Sequence, residues 1–154
     1  MEFRRTVQVT APVSQVWALV GDIPAVASCI PGLHDLKQNA PTEFECVVSQ
    51  RVGSVKANFN LHTTMSDLEP EQSLTAVSKG RDEGLNSSVE ATQRFVLSRN
   101  GDGTQVDIIA EFRVTGKIAT FGQRIIAAKA EQVTVETLRN LSKLLEERNV
   151  APSS

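Results

Sequence analysis

TQVDIIAEFRVT (residues 104–115) and KIATFGQRIIAAKAEQVTVETLRNLSKLLEER (residues 117–148) meet at Gly116, and the period of the apolar residues changes there. In the first stretch Val106, Ile108, Ala110, Phe112 and Val114 fall on every second position, the pattern of a strand with one covered face. In the second, Ala119, Gly122, Ile126, Ala130, Val133, Thr137, Leu141 and Leu144 recur every three or four residues. Lys117, Arg124, Glu131, Arg139, Lys143 and Glu146 lie roughly opposite. The spacing predicts one helix over 117–145, reaching about residue 148, with a single buried stripe. Thirty helical residues span about 45 Å, more than a compact domain of this size, so the last turns would project or bend.

Upstream of residue 104 the period of two persists. Phe44, Cys46, Val48 and Val52 share one parity in 43–52, and Val55, Ala57, Phe59, Leu61, Thr63 and Met65 share one in 55–66. Leu74, Ala76, Ser78 and Gly80 do so in 73–81, and Val89, Ala91, Gln93, Phe95 and Leu97 in 89–98. Gly53-Ser54 and Asn100-Gly101-Asp102-Gly103 read as hairpin turns, residues 68–72 as a turn and residues 82–88 as a polar loop. Before them, 3–10 reads as a strand and Pro12 opens a short helix carrying Val13, Val16, Trp17 and Val20. A second short helix covers 23–29, and the turn Ile30-Pro31-Gly32 leads into a further strand from Leu33. The expected fold class is therefore α+β: a curved antiparallel sheet of about seven strands wrapped around a long C-terminal helix, with two short helices after the first strand. A lone sheet with one apolar face needs a cover, and the long helix is the only large one. One domain is expected over 1–148, with a frayed tail over 149–154.

The covered face is unusually small. The sheet offers Ala57, Ala76, Ser78, Gly80, Ala91, Gln93 and Ala110, and the helix answers with Gly122, Ala130 and Thr137. Packed layers lie on the order of 10 Å apart and interiors are close-packed, so small residues facing small residues leave a gap unless the layers approach closely. A curved sheet cannot collapse along the whole helix, so a cavity is expected. Its lining would comprise Val48, Phe59, Leu61, Ala76, Ser78, Gln93, Phe95, Ile108, Ala110, Phe112, Ile126, Ala130 and Val133, with Ser78 and Gln93 as its polar points. That mixture suits a small hydrophobic molecule with one or two hydrogen-bonding groups. The alternative is a solid core with Gln93 bonded to backbone.

Composition narrows the function classes. The chain has 154 residues, 22% charged and 40% hydrophobic, as in an ordinary globular domain. Its net charge of −2 argues against a nucleic-acid partner, which needs a basic stripe. Cys29 and Cys46 read as buried thiols in a reducing compartment. The two histidines, His34 and His62, sit on different elements and read as solvated, and there is no tyrosine. No catalytic constellation, metal site or cofactor motif is visible. With no 20-residue apolar run and no secretory leader, a cytoplasmic protein is expected, with a peripheral encounter at the inner face of the membrane left open.

Several motifs in order resemble a known family. They are Ala11-Pro12 with Val16-Trp17, Ser28-Cys29-Ile30-Pro31-Gly32, Val52-Gly53-Ser54-Val55-Lys56-Ala57-Asn58-Phe59 and Ser66-Asp67-Leu68-Glu69-Pro70. Gly101-Asp102-Gly103-Thr104 and Gly116-Lys117-Ile118-Ala119 with Gly122 and Arg124 continue them. Together they resemble the carbon monoxide dehydrogenase G-subunit (CoxG) family, which is similar in fold to START-like helix-grip (SRPBCC) proteins. The resemblance implies an accessory protein of a carbon monoxide dehydrogenase or related molybdenum hydroxylase, linking it to the membrane or its quinone pool. The expected function is non-catalytic binding of a small hydrophobic molecule, a quinone or a lipid. One alternative is a recruitment or assembly factor using exposed apolar residues such as Val77, Ile109, Phe121 and Val135. The other is a small helix-grip enzyme, a cyclase or hydrolase.

Overall fold

The computed structural model describes the backbone of residues 2–150 and the side chains of residues 2–148. Strand β1 (Glu2–Val9) is followed by helices α1 (Val13–Val20) and α2 (Ile23–Cys29). Six strands come next: β2 (Leu33–Ala40), β3 (Glu43–Val52), β4 (Val55–Glu69), β5 (Ser73–Asp82), β6 (Ser87–Asn100) and β7 (Gly103–Gly116). A 3-10 turn over Lys117–Phe121 precedes the long helix α3 (Gln123–Val150). The seven strands form one sheet in the order β1-β7-β6-β5-β4-β3-β2, and each neighbouring pair is antiparallel. This is the helix-grip architecture that the change of period at Gly116 implies.

Local chemistry sets the ends of the elements. Asp22 caps α2 by accepting the Ala25 N–H at 3.2 Å, and its other oxygen accepts from the Arg148 guanidinium of α3 at 3.1 Å. Asn140 of α3 donates to the Cys29 carbonyl at 2.9 Å. These bonds hold α2 against the C-terminal half of α3. The Arg148 hydrogen bond, helped by the Ala25 N–H, keeps the Asp22 carboxyl below its ordinary range. A depressed carboxyl contributes stability above its unfolded pKa and loses it as pH falls through the folded value. Asp22→Ala is therefore expected to cost about 1 kcal/mol near neutral pH, as lost caps do. In urea melts the deficit should shrink below the carboxylate range, and a deficit unchanged by acid would show that the carboxylate is not its source.

Three boundaries differ from the sequence expectation. The loop expected over 82–88 is only four residues long. The Asp82 carboxylate accepts the Leu85 N–H at 3.0 Å and the Asn58 N–H at 2.8 Å, which closes the hairpin tightly. Strand β4 continues to Glu69 and bends there, with Asp67 at φ 51 and a register shift between Ser66 and Glu69. The long helix begins at Gln123 rather than 117. The buried Ser87 hydroxyl accepts the Ile118 N–H at 2.9 Å and donates to the Leu85 carbonyl at 3.0 Å, drawing 117–121 down onto the end of the sheet. Gly122, at φ 93, then turns the chain into α3, a backbone conformation that only glycine adopts cheaply. At about 42 Å, α3 is still long for the domain. Of the tail expected to fray, Asn149 and Val150 continue α3, and residues 151–154 lie outside the described residues.

The buried side chains fall into three clusters rather than one. Val16 and Leu19 of α1 pack with Leu97, Val106 and Ile108 of the sheet and with Leu141 and Leu145 of α3. Ile23 of α2 packs with Phe44, Cys46, Met65 and Leu74. Val52, Ala57, Ile118 and Ile126 close the opposite end, with Phe59, Phe112 and Phe121 beside them. Trp17 is half-buried and touches the first two clusters, a structural position.

Candidate functional site

Side chains of the first two clusters border a cavity of about 250 Å³. A cavity of about 150 Å³ lined by apolar side chains holds benzene, whereas drug-sized pockets run to roughly 300–1,000 Å³. Every strand from β2 to β7 contributes to the wall. Val20, Val26 and Ile30 approach from the α1–α2 segment, and Val133, Thr134, Thr137, Leu138 and Leu141 from α3. Small side chains leave the space: the sheet presents Ala76, Ser78 and Ala91 to it, and the helix answers with two threonines.

The cavity is apolar and uncharged. No Lys, Arg, His, Asp or Glu lines it. Its hydroxyls have partners: Thr63 Oγ1 and Ser78 Oγ share a hydrogen bond of 2.7 Å. Thr134 donates to the Ala130 carbonyl at 2.9 Å and Thr137 to the Val133 carbonyl at 2.7 Å. Cys46 lies in the wall, and burial pushes its thiol up to about 11. It stays protonated at neutral pH and is a poor nucleophile. Burial also raises the Cys29 thiol, which packs in the first cluster beside α1 and α3.

A broader groove of about 400 Å³ on the outer face runs past Lys79, Arg81, Glu90 and Arg113. It is open to solvent, and its cations have carboxylate neighbours: Glu90 stands directly between Lys79 and Arg113 across the strands, and Arg81 pairs with Glu83 at 3.3 Å. The apolar cavity between the sheet and α3 is the better candidate site.

The family model of the carbon monoxide dehydrogenase G subunit (CoxG) matches residues 6–146, most of the chain. The chain belongs to the CoxG family. Among solved structures, a conserved protein from Geobacillus kaustophilus superposes with a TM-score of 0.87 at 19% identity, covering 96% of each chain. A protein from Thermus thermophilus gives 0.73 at 14% identity over the whole of both chains. The Zhui aromatase/cyclase from a Streptomyces species gives 0.71 at 14% identity, covering 100% of this chain and 98% of its own. At such identities these likenesses establish the fold alone. No curated protein matches the chain.

In this CoxG-family chain eight of the thirteen expected lining residues reach the cavity: Val48, Leu61, Ala76, Ser78, Gln93, Phe95, Ile108 and Val133. Five lie elsewhere. Phe59, Phe112 and Ile126 pack at the closed end with Ile118 and Val52. Ala110 is 2% exposed; Phe3 faces it directly across β1–β7 and sets its ring edge-on to Phe112, with centroids 5.8 Å apart. Ala130 sits about one helical turn before Thr134, half-buried and away from the cavity. For Phe59, Phe112 and Ile126 the cause is the 3-10 turn, whose Ile118 fills an end that helical periodicity alone leaves open. Val20, Val26, Ile30 and Leu33 line the cavity without having been expected there. Their apolar character is visible in the sequence, but not that the α1–α2 segment folds back over the sheet.

The remaining expectations concern the surface. His34 and His62 are exposed; His34 bonds Asp35 and Ser49 at 2.8 Å each, and His62 meets Glu43 at 2.7 Å. Among the described residues no group of three or more His, Cys, Asp or Glu is placed to hold a metal ion. Also among them, no helix is long and apolar enough to cross a membrane. Val77, Ile109, Phe121 and Val135 are half-buried rather than exposed, because their neighbours on the sheet and helix cover part of each side chain. The exposed large apolar residues are Leu68 and Ile125.

Proposed function

We propose that this protein binds a small hydrophobic molecule, quinone or lipid-like, in the cavity between the sheet and α3, without transforming it. In this reading it serves a carbon monoxide dehydrogenase or related molybdenum hydroxylase as an accessory protein. The observation that carries the reading is the 250 Å³ cavity between sheet and helix with an apolar, uncharged wall. Burying apolar surface there releases about 25 cal/mol per Å² without exposing the molecule to a nucleophile or an acid–base pair. Family membership supports the enzyme partner. The two free, buried cysteines fit a reducing cytoplasm. Native mass spectrometry of the purified protein, followed by organic extraction, tests the reading: a bound apolar small molecule is expected. A protein that stays empty when offered quinones and lipids would overturn it.

A peripheral encounter with an anionic membrane belongs to the same proposal, and one pole of the molecule favours it. Arg51 and Lys56 face each other across the β3–β4 hairpin, an arrangement that costs stability unless an anion relieves it. The tip of that hairpin lies against Phe121: a Cβ at Gly53, φ 59, would meet the ring at 2.9 Å. Exposed Lys117, Arg124 and Ile125 complete the pole. Flotation with vesicles containing phosphatidylglycerol, but not with pure phosphatidylcholine, is the expected outcome at low salt. Equal flotation with both, or with neither, would remove the membrane from the proposal.

A further inference from the structure

One polar side chain in the cavity has no hydrogen-bond partner among the described residues. Gln93 stands in the middle of β6, with Ala76 directly opposite it on β5 and Ala110 on β7. Its side chain therefore has small neighbours on both flanking strands. It lines the cavity, and no described residue hydrogen-bonds its amide. The lining hydroxyls differ in this respect, since each is bonded to another hydroxyl or to a helix carbonyl. A primary amide carries two donors and an acceptor, and on the cavity wall these are free to meet an oxygen of a bound molecule.

The same wall has no ionisable group able to neutralise a charge. The cavity lining contains no acidic or basic residue, and its one thiol is held protonated. An ionised carboxylate or ammonium placed there would be buried without a counter-ion, which interiors do not tolerate. We infer that the cavity selects electrically neutral apolar molecules bearing a carbonyl or hydroxyl, and that the Gln93 amide is the group that reads that oxygen. A carbonyl accepts from the amide N–H, and a hydroxyl donates to the amide oxygen. The volume fits a body of about two fused rings, given that a single benzene needs about 150 Å³. The inference rests on the cavity-binding reading and sharpens it: ionised fatty acids are excluded, and neutral compounds of the same bulk are admitted.

Three probes of one skeleton test it by isothermal titration calorimetry near neutral pH: naphthalene, 2-naphthol and 2-naphthoate. Naphthalene and 2-naphthol should bind, and 2-naphthoate at least about a hundredfold more weakly than 2-naphthol. Gln93→Leu should weaken 2-naphthol by about three- to tenfold, the effect of one hydrogen bond, and leave naphthalene unchanged or slightly tighter. Retained naphthalene binding also shows that the variant is folded, and Gln93→Met repeats the test with a side chain of similar length. If 2-naphthoate binds as well as 2-naphthol, or if both variants bind 2-naphthol as the native protein does, the inference is wrong while the cavity reading stands. If none of the three probes binds, the cavity reading falls and takes the inference with it.

Discussion

Ala76→Phe is expected to weaken uptake of a hydrophobic probe by at least about tenfold while the melting temperature holds or rises. Ala76 lines the cavity, so the added ring enters space that a ligand would occupy and gains apolar contacts there. Ala110→Phe should do the reverse. Ala110 flanks Gln93 on the other side in the same row, but it is closed in by Phe3. A phenyl ring there must displace a packed neighbour, and overpacking of this kind costs about 1–3 kcal/mol. Probe binding measured beside urea melts for the two variants separates the cavity from the core. If Ala76→Phe destabilises as much as Ala110→Phe, the space beside Ala76 is not open and the cavity reading is wrong.

Ile118→Ala is expected to lower stability by about 2–5 kcal/mol, the range for truncating a buried isoleucine. Ile118 is 2% exposed and fills the end of the sheet between Val52, Ala57 and Ile126. Its loss leaves a void that rigid strands on one side and the first turn of α3 on the other cannot close. Urea unfolding reads the change as a lower midpoint with an unaltered slope. A midpoint within error of the native protein would mean that the 3-10 turn is not a packed plug and that the cavity extends past it.

The plug also shows where periodicity misleads. From Ile126 onward the helical spacing holds: Ile126 and Leu141 of the stripe are buried and Leu144 is half-buried, with the adjoining Leu145 buried beside it. Residues 117–121 carry the same spacing, yet they form a separate 3-10 turn because the backbone leaves the helical region at Gly122, φ 93, while Ser87, 31 residues earlier, anchors the turn by accepting the Ile118 N–H. That N–H would have no partner inside a helix starting at 117, so the bond holds the turn to the sheet without opposing a helix. The strand faces were easier to read. In β3 to β7 a one-residue slip would turn every apolar side chain to water, so parity alone assigns the inner face.

The order of elements, the two glycine hairpin tips, the inward parity of β3 to β7, the family and the poverty of catalytic groups were all legible along the chain. They follow from local rules: the strand period, the helix period, turn chemistry and the identity of the side chains present. Where the cavity begins and ends was settled by packing across the fold. That packing placed Phe3 over Ala110, brought Val20, Val26 and Ile30 over the sheet, and left the Gln93 amide without a partner among the described residues. A cavity is the small difference between the volume enclosed by the layers and the volume of the side chains filling it. That difference depends on the curvature of seven strands and on contacts between residues far apart in the chain, which periodicity does not encode.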